Sequence, residues 1–312
     1  MASTFHPSAL HGRRGSTIGR DKIPGRPVFL LGVGCQKGGT TWLHDYLQSH
    51  PQVNLGFTKE YHVFDVLHNV PGCGHFRHYY ESRARQQREL RGDGQPIDPG
   101  LEKQLGFYDS TASYYDYFKE LVQEKPETRL VGDITPSYAG LPASAFSEIR
   151  KQLLERGFSV RVIFLMRDPV ERVWSQIRML RRDRPGDAQF SEVSEAELIR
   201  KRYRGLPCAF RTRYELTIQN LESVFPADEL HYNFYERLFN DDSIRDISEF
   251  LRLEFDAGPP DFSRRINTSE KHEPISRELQ QEVAEYYAQT YRYVRHRFGS
   301  VVKELWPRTS ML

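Results

Sequence analysis

The chain has 312 residues, enough for two average domains or one large α/β domain, with 44 Lys+Arg against 42 Asp+Glu. A net charge of +2 supplies no global field for nucleic acid or a membrane surface, so any basic site must be local. No apolar run is long enough to cross a bilayer, and Cys35, Cys73 and Cys208 are too dispersed for a zinc pattern or a disulfide framework. These features lead us to expect a cytoplasmic protein with reduced thiols, no nucleic-acid partner and no integral membrane segment. Residues 1–26 carry Arg13, Arg14, Arg20 and Arg26 against one acid, Asp21. They read as a disordered basic tail, leaving 27–312 as one domain.

In chain order, Val28–Val33 is a short apolar run read as a buried strand. Thr41–Ser49 places Trp42, Leu43, Tyr46 and Leu47 at helical spacing and stops at Pro51. Val53–Leu55 is a second strand, with Lys59–Asp65 in the connection after it. Residues 71–125 turn Gly/Pro-rich, then basic, then tyrosine-rich, and predict an insertion of loops and helices over a cleft. Arg129–Asp133 reads as a strand and Val160–Met166 as the strongest strand of all. Asp168 then serves as N-cap and Pro169 as first residue of a helix reaching about Arg182. Further helices are predicted over Glu192–Tyr203, Arg211–Phe225, Asp242–Leu253 and Ser276–Phe298, with a strand at Leu230–Tyr235. Alternating strands and helices predict an α/β fold, a central parallel sheet with helices on both faces. Ligands of such sheets sit at the carboxyl ends of the strands.

The run from Phe29 to Leu43 reads strand, glycine loop, helix start. Glycines let backbone approach an anion, and free N–H groups at the helix start point at it. Lys37 adds charge and Thr40 and Thr41 add hydroxyls. The lysine precedes its glycines, so the Gly-Lys-Ser/Thr order of a triphosphate loop is missing. The loop is P-loop-like but not built for Mg-ATP.

Gln36-Lys37-Gly38-Gly39-Thr40-Thr41-Trp42 resembles the 5′-phosphosulfate loop of sulfotransferases that use 3′-phosphoadenosine 5′-phosphosulfate (PAPS). Arg167-Asp168-Pro169 through Ser175 resembles their 3′-phosphate motif. Lys59-Glu60-Tyr61-His62-Val63-Phe64-Asp65 and Asp133-Ile134-Thr135-Pro136-Ser137-Tyr138 are similar to segments of the heparan-sulfate and bacterial carbohydrate-type branch. Phe234-Tyr235-Glu236-Arg237 is similar to a widespread segment of the superfamily. In that branch Ile134 is often a lysine and Asp133 a glutamate. The branch's C-terminal disulfide loop is absent, and Arg264–Lys271 occupies its region.

The resemblance implies the P-loop-like sulfotransferase fold and transfer of a sulfuryl group from PAPS to an acceptor hydroxyl on a carbohydrate, glycolipid or small metabolite, with no metal. Lys37 would meet the developing charge on the bridging and non-bridging oxygens, and the backbone of Gly38, Gly39, Thr40 and Thr41 would hold the phosphosulfate. Arg167 and Ser175 would take the 3′-phosphate, and Trp42 and Tyr235 would contact the adenine. Glu60 is the candidate base, able to act near neutral pH if burial raises its pKa. His62 competes for that role, with Asp65 in support. Tyr108, Tyr114, Tyr115 and Tyr117 either line an acceptor site or pack helices. Arg172 and Trp174 read as helix-surface and packing residues. Acceptor specificity is expected in 71–125 and 181–188. The competing readings are a P-loop-like kinase, which needs Mg-ATP, and a non-catalytic nucleotide-binding protein.

Overall fold

A computed structural model of the chain describes residues 25–91, 95–254 and 274–312; Arg264–Lys271 lies outside them. Five strands form one all-parallel sheet: β1 (Val28–Gly34), β2 (Val53–Asn54), β3 (Leu130–Ile134), β4 (Ser159–Met166) and β5 (Leu230–Phe234). Their spatial order is β2-β3-β1-β4-β5. The chain fills the sheet on one side of β1, then crosses to the other between β3 and β4. The switch point therefore falls at the carboxyl end of β1, where a crevice opens in such sheets.

Alternation along β1 explains its two-sided burial. Phe29, Leu31 and Val33 enter one core with Val160, Val162 and Phe164 of β4, and Val28 and Leu30 enter the other with Ile163 and Leu165. The second, smaller core is closed by α1 (Thr40–Gln48), through Trp42, Leu43 and Leu47, and by a later helix carrying Ile244 and Ile247.

The 71–125 segment is largely helical. After the single turn α2 (Phe64–Leu67) come α3 (His75–Arg91), α4 (Pro99–Asp109) and α5 (Thr111–Glu124). Tyr114, Tyr115 and Tyr117 of α5 belong to the larger core, which decides for packing over an acceptor-lining role at these three positions. Next is α6 (Ala143–Glu155), which the sequence reading passes over. Its buried Ala145, Phe146, Ile149 and Leu153 are at helical spacing, and that pattern is its signal. Then α7 (Pro169–Asp183) begins as expected, with Asp168 Oδ1 accepting from the Val170 and Glu171 amides at 2.9 and 3.1 Å.

After the short α8 (Ala188–Ser191), the helix expected over Glu192–Tyr203 is α9 (Glu195–Arg202), which starts three residues later because Ser194 caps it through the Glu197 amide. After α10 (Leu206–Ala209), α11 (Tyr214–Glu222) and α12 (Asp241–Phe250), the single helix expected over Ser276–Phe298 is two: α13 (Arg277–Tyr286) and α14 (Ala288–Phe298). Tyr287 leaves helical geometry between them, its hydroxyl bonded to the Tyr203 carbonyl.

Candidate active site

The glycine loop connects β1 to α1. Lys37 adopts φ 71° and Gly39 φ 93°, both left-handed, which curls residues 36–39 around the helix start. A Cβ at Gly38 would meet Cys35 Sγ at 2.8 Å, and one at Gly39 would meet Leu238 Cδ2 at 2.6 Å. The loop thus holds its shape only with both glycines. The Gly38 amide turns inward to the Cys35 carbonyl at 3.0 Å. The amides of Gly39, Thr40 and Thr41 are at the helix start, where no intrahelical acceptor exists.

The 167 position follows directly on β4, one strand over. Arg167 Nη1 donates to the Lys37 carbonyl at 3.1 Å, its guanidinium stacks 4.2 Å above the Tyr235 ring, and Nη2 lies 3.7 Å from Glu171. Tyr214 fixes the same corner by donating to the Arg167 carbonyl at 2.8 Å. Asp168 donates its amide to Glu236 at 3.0 Å, and Trp306 Nε1 donates to the same carboxylate at 3.2 Å. The Phe234–Arg237 segment is thereby tied to the Arg167 turn. Ser175 is on α7, two turns on. Burial, with the charges of Arg182 and Arg167, holds the Lys37 ammonium down at about 8.

Trp42 stacks on Tyr46 (5.7 Å, 4°) and meets Phe239 edge-on, and Tyr235 packs on Phe239 as well as under Arg167. The two aromatics therefore flank one patch beside the loop. Arg172, read as a helix-surface residue, is fully buried, with Nη2 bonded to Gln176 and 2.8 Å from Cys208 Sγ. Its turn of the helix faces the larger core instead of solvent.

On the β3 side of β1, Glu60, His62 and Asp65 form a line. His62 Nδ1 is 2.6 Å from Asp65 Oδ2 and Nε2 is 3.2 Å from Glu60 Oε2, while Lys59 Nζ meets the other oxygen of Glu60. The imidazole also stacks on Phe76 at 3.5 Å. Burial pushes His62 down, but the two carboxylates outweigh it and raise the ring to about 9. Burial pushes Glu60 up, but His62 and Lys59 outweigh it and hold the carboxyl at about 2. The expected upward shift of Glu60 is thus reversed by its own neighbours. At neutral pH Glu60 is a carboxylate and His62 an imidazolium donating from both nitrogens, with no free lone pair for a proton.

The sequence reading missed what holds this line. Asp133 is fully buried and accepts from the hydroxyls of Thr135 (2.6 Å), Tyr138 (2.7 Å) and Tyr114 (2.9 Å). Thr135 and Tyr138 in turn accept the amides of Tyr61 (3.0 Å) and Val63 (3.3 Å), on either side of His62. His62 itself sits at φ 50°, a conformation that non-glycine residues adopt only when their surroundings impose it. Asp133→Ala is expected to cost about 2–4 kcal/mol, because three buried hydroxyls lose their acceptor. Urea denaturation of the variant checks it, and a loss below about 1 kcal/mol would deny Asp133 this anchoring role.

A five-stranded parallel sheet flanked by helices, with a glycine loop after its central strand and an arginine at the end of the neighbouring strand, is the α/β architecture of the sulfotransferase fold. Residues 27–257 match the model of the Sulfotransferase family. The chain belongs to that family. The crystal structure of a sulfotransferase from Alicyclobacillus acidocaldarius superposes with a TM-score of 0.53 at 18% identity, covering 88% of this chain and 96% of that one. The "Membrane-associated sulfotransferase kil1" of Dictyostelium discoideum is 28% identical over 201 residues, 61% of this chain. The match spans 33% of that relative's length. Among the described residues, no helix is long and apolar enough to cross a membrane.

Proposed function

We propose that the chain transfers the sulfuryl group of PAPS to an acceptor hydroxyl by in-line displacement, releasing 3′,5′-adenosine bisphosphate. The observation that carries this reading is the bond from Arg167 to the Lys37 carbonyl, which joins the loop and the arginine into one cationic crevice at the switch point. Gly38 and Gly39 let the loop pack tightly on Cys35 and Leu238 ahead of the α1 start, whose amides without intrahelical acceptors suit an oxyanion. Residues Gly39, Thr40 and Thr41 would hold the phosphosulfate by their amides, Lys37 would neutralise charge as the S–O bond to the leaving phosphate breaks, and Arg167 with Ser175 would hold the 3′-phosphate. Trp42 and Tyr235 would border the adenine.

Glu60 takes the acceptor's proton. Its carboxylate is charged at neutral pH and partly exposed, while His62 is committed at both nitrogens. So weak a base acts late, when the forming S–O bond has already made the hydroxyl acidic. His62 and Asp65 orient Glu60. The acceptor is a hydroxyl on a carbohydrate, a glycolipid or a small metabolite.

Calorimetric titration tests the donor. Binding of 3′,5′-adenosine bisphosphate without magnesium, lost in Arg167→Ala, is the expected result. Preference for Mg-ATP would overturn the reading in favour of a kinase.

A further inference from the structure

Arg178 is buried on α7 with 6% of its surface exposed, its guanidinium 4.7 Å over the Trp174 ring, yet Nε and Nη1 have no hydrogen-bond partner. A guanidinium cannot shed its charge in a protein, so stranded N–H donors are a standing cost. Glu195 is the leading opposite charge in its surroundings, but that carboxylate already accepts from Trp174 Nε1 and lies 3.8 Å from Arg181.

The direction of Arg178 follows from helical geometry. Glu171, Ser175, Arg178 and Arg182 fall on one face of α7, at successive steps of four, three and four residues. One end of that face touches Arg167, through Glu171 at 3.7 Å. Further along, Arg182 and Arg178 both act on Lys37. Arg178 therefore sits one turn beyond Ser175 on the face turned to the crevice.

We propose that Arg178 is a second guanidinium for the 3′-phosphate of the bound nucleotide, beside Arg167 and Ser175, and that it sets the preference for 3′-phosphorylated nucleotides. This inference rests on the donor reading above. A dianionic phosphate fits two forks and a hydroxyl, and it gives the stranded Nε and Nη1 donors an acceptor.

Wild type, Arg178→Gln and Arg178→Lys are titrated with 3′,5′-adenosine bisphosphate and with 5′-AMP, which lacks only the 3′-phosphate. The expected result is an affinity loss of about 10- to 100-fold for the bisphosphate in Arg178→Gln, with 5′-AMP within about twofold of wild type. Arg178→Lys, which keeps the charge but not the fork, is expected to lose about 5-fold for the bisphosphate alone, and it carries the test if the glutamine variant fails to fold. Equal losses for both nucleotides, or no loss for the bisphosphate, overturn the proposal. A wild type that does not prefer the bisphosphate to 5′-AMP overturns the donor reading and this inference with it.

Discussion

Glu60→Gln is expected to lower kcat by roughly 10²- to 10⁴-fold while leaving nucleotide affinity within about twofold. The amide is nearly isosteric and can still accept from His62, so the loss isolates the proton-accepting role. Single-turnover assays separate that step from product release. His62→Ala is the necessary contrast. It removes the imidazolium that holds Glu60 Oε2 at 3.2 Å, and with it a restraint on the proposed base. Its activity is expected to fall less than that of Glu60→Gln. Near-wild-type turnover in Glu60→Gln would move the base elsewhere.

Lys37→Ala is expected to cost roughly 10²- to 10³-fold in kcat, the usual scale for one preorganised donor at a developing negative charge. The Lys37 ammonium also sets a pH signature. Burial and neighbouring arginines hold it at about 8 in the free enzyme, and only the protonated form can serve the leaving phosphate. The value of kcat/KM for the donor is therefore expected to fall as pH rises through about 8. Bound anion favours the charged form, so kcat stays flat to higher pH. Lys37→Arg keeps its charge at all these pH values and moves the alkaline fall upward. A fall that stays at the same pH in Lys37→Arg would assign it to another group.

Much of the fold was legible because its signals are local. The apolar run into glycines at Val28–Gly39 and the Asp168-Pro169 start of α7 each declare strand or helix within a few residues. The parallel sheet follows from their alternation. What escaped the reading depends on distant partners. The core side of Arg172 becomes visible only once Cys208 and the C-terminal helices pack against it. Asp133 looks like a strand-end carboxylate until Tyr114 of α5 and Tyr138 meet it in space. The direction of the Glu60 shift turned on His62 being charged, which Asp65 enforces from three residues away. The break at Tyr287 comes from a hydroxyl bond to a residue more than eighty positions earlier, outside any helical period.

The strand order also governs how the protein comes to be folded. The central strand has no sequence neighbour as a partner: Val28 pairs with Leu130 on one side and Ser159 on the other. Both pairings close loops of more than a hundred residues, and the entropy of closure must be met before either contact gives a return. Such topology makes for slow folding. During synthesis, β1 and its glycine loop emerge early yet stay unpaired until β3 and β4 have been made. The crevice at the carboxyl end of β1 is therefore among the last features to form, and a ligand that occupies it favours the finished sheet over every partly paired one.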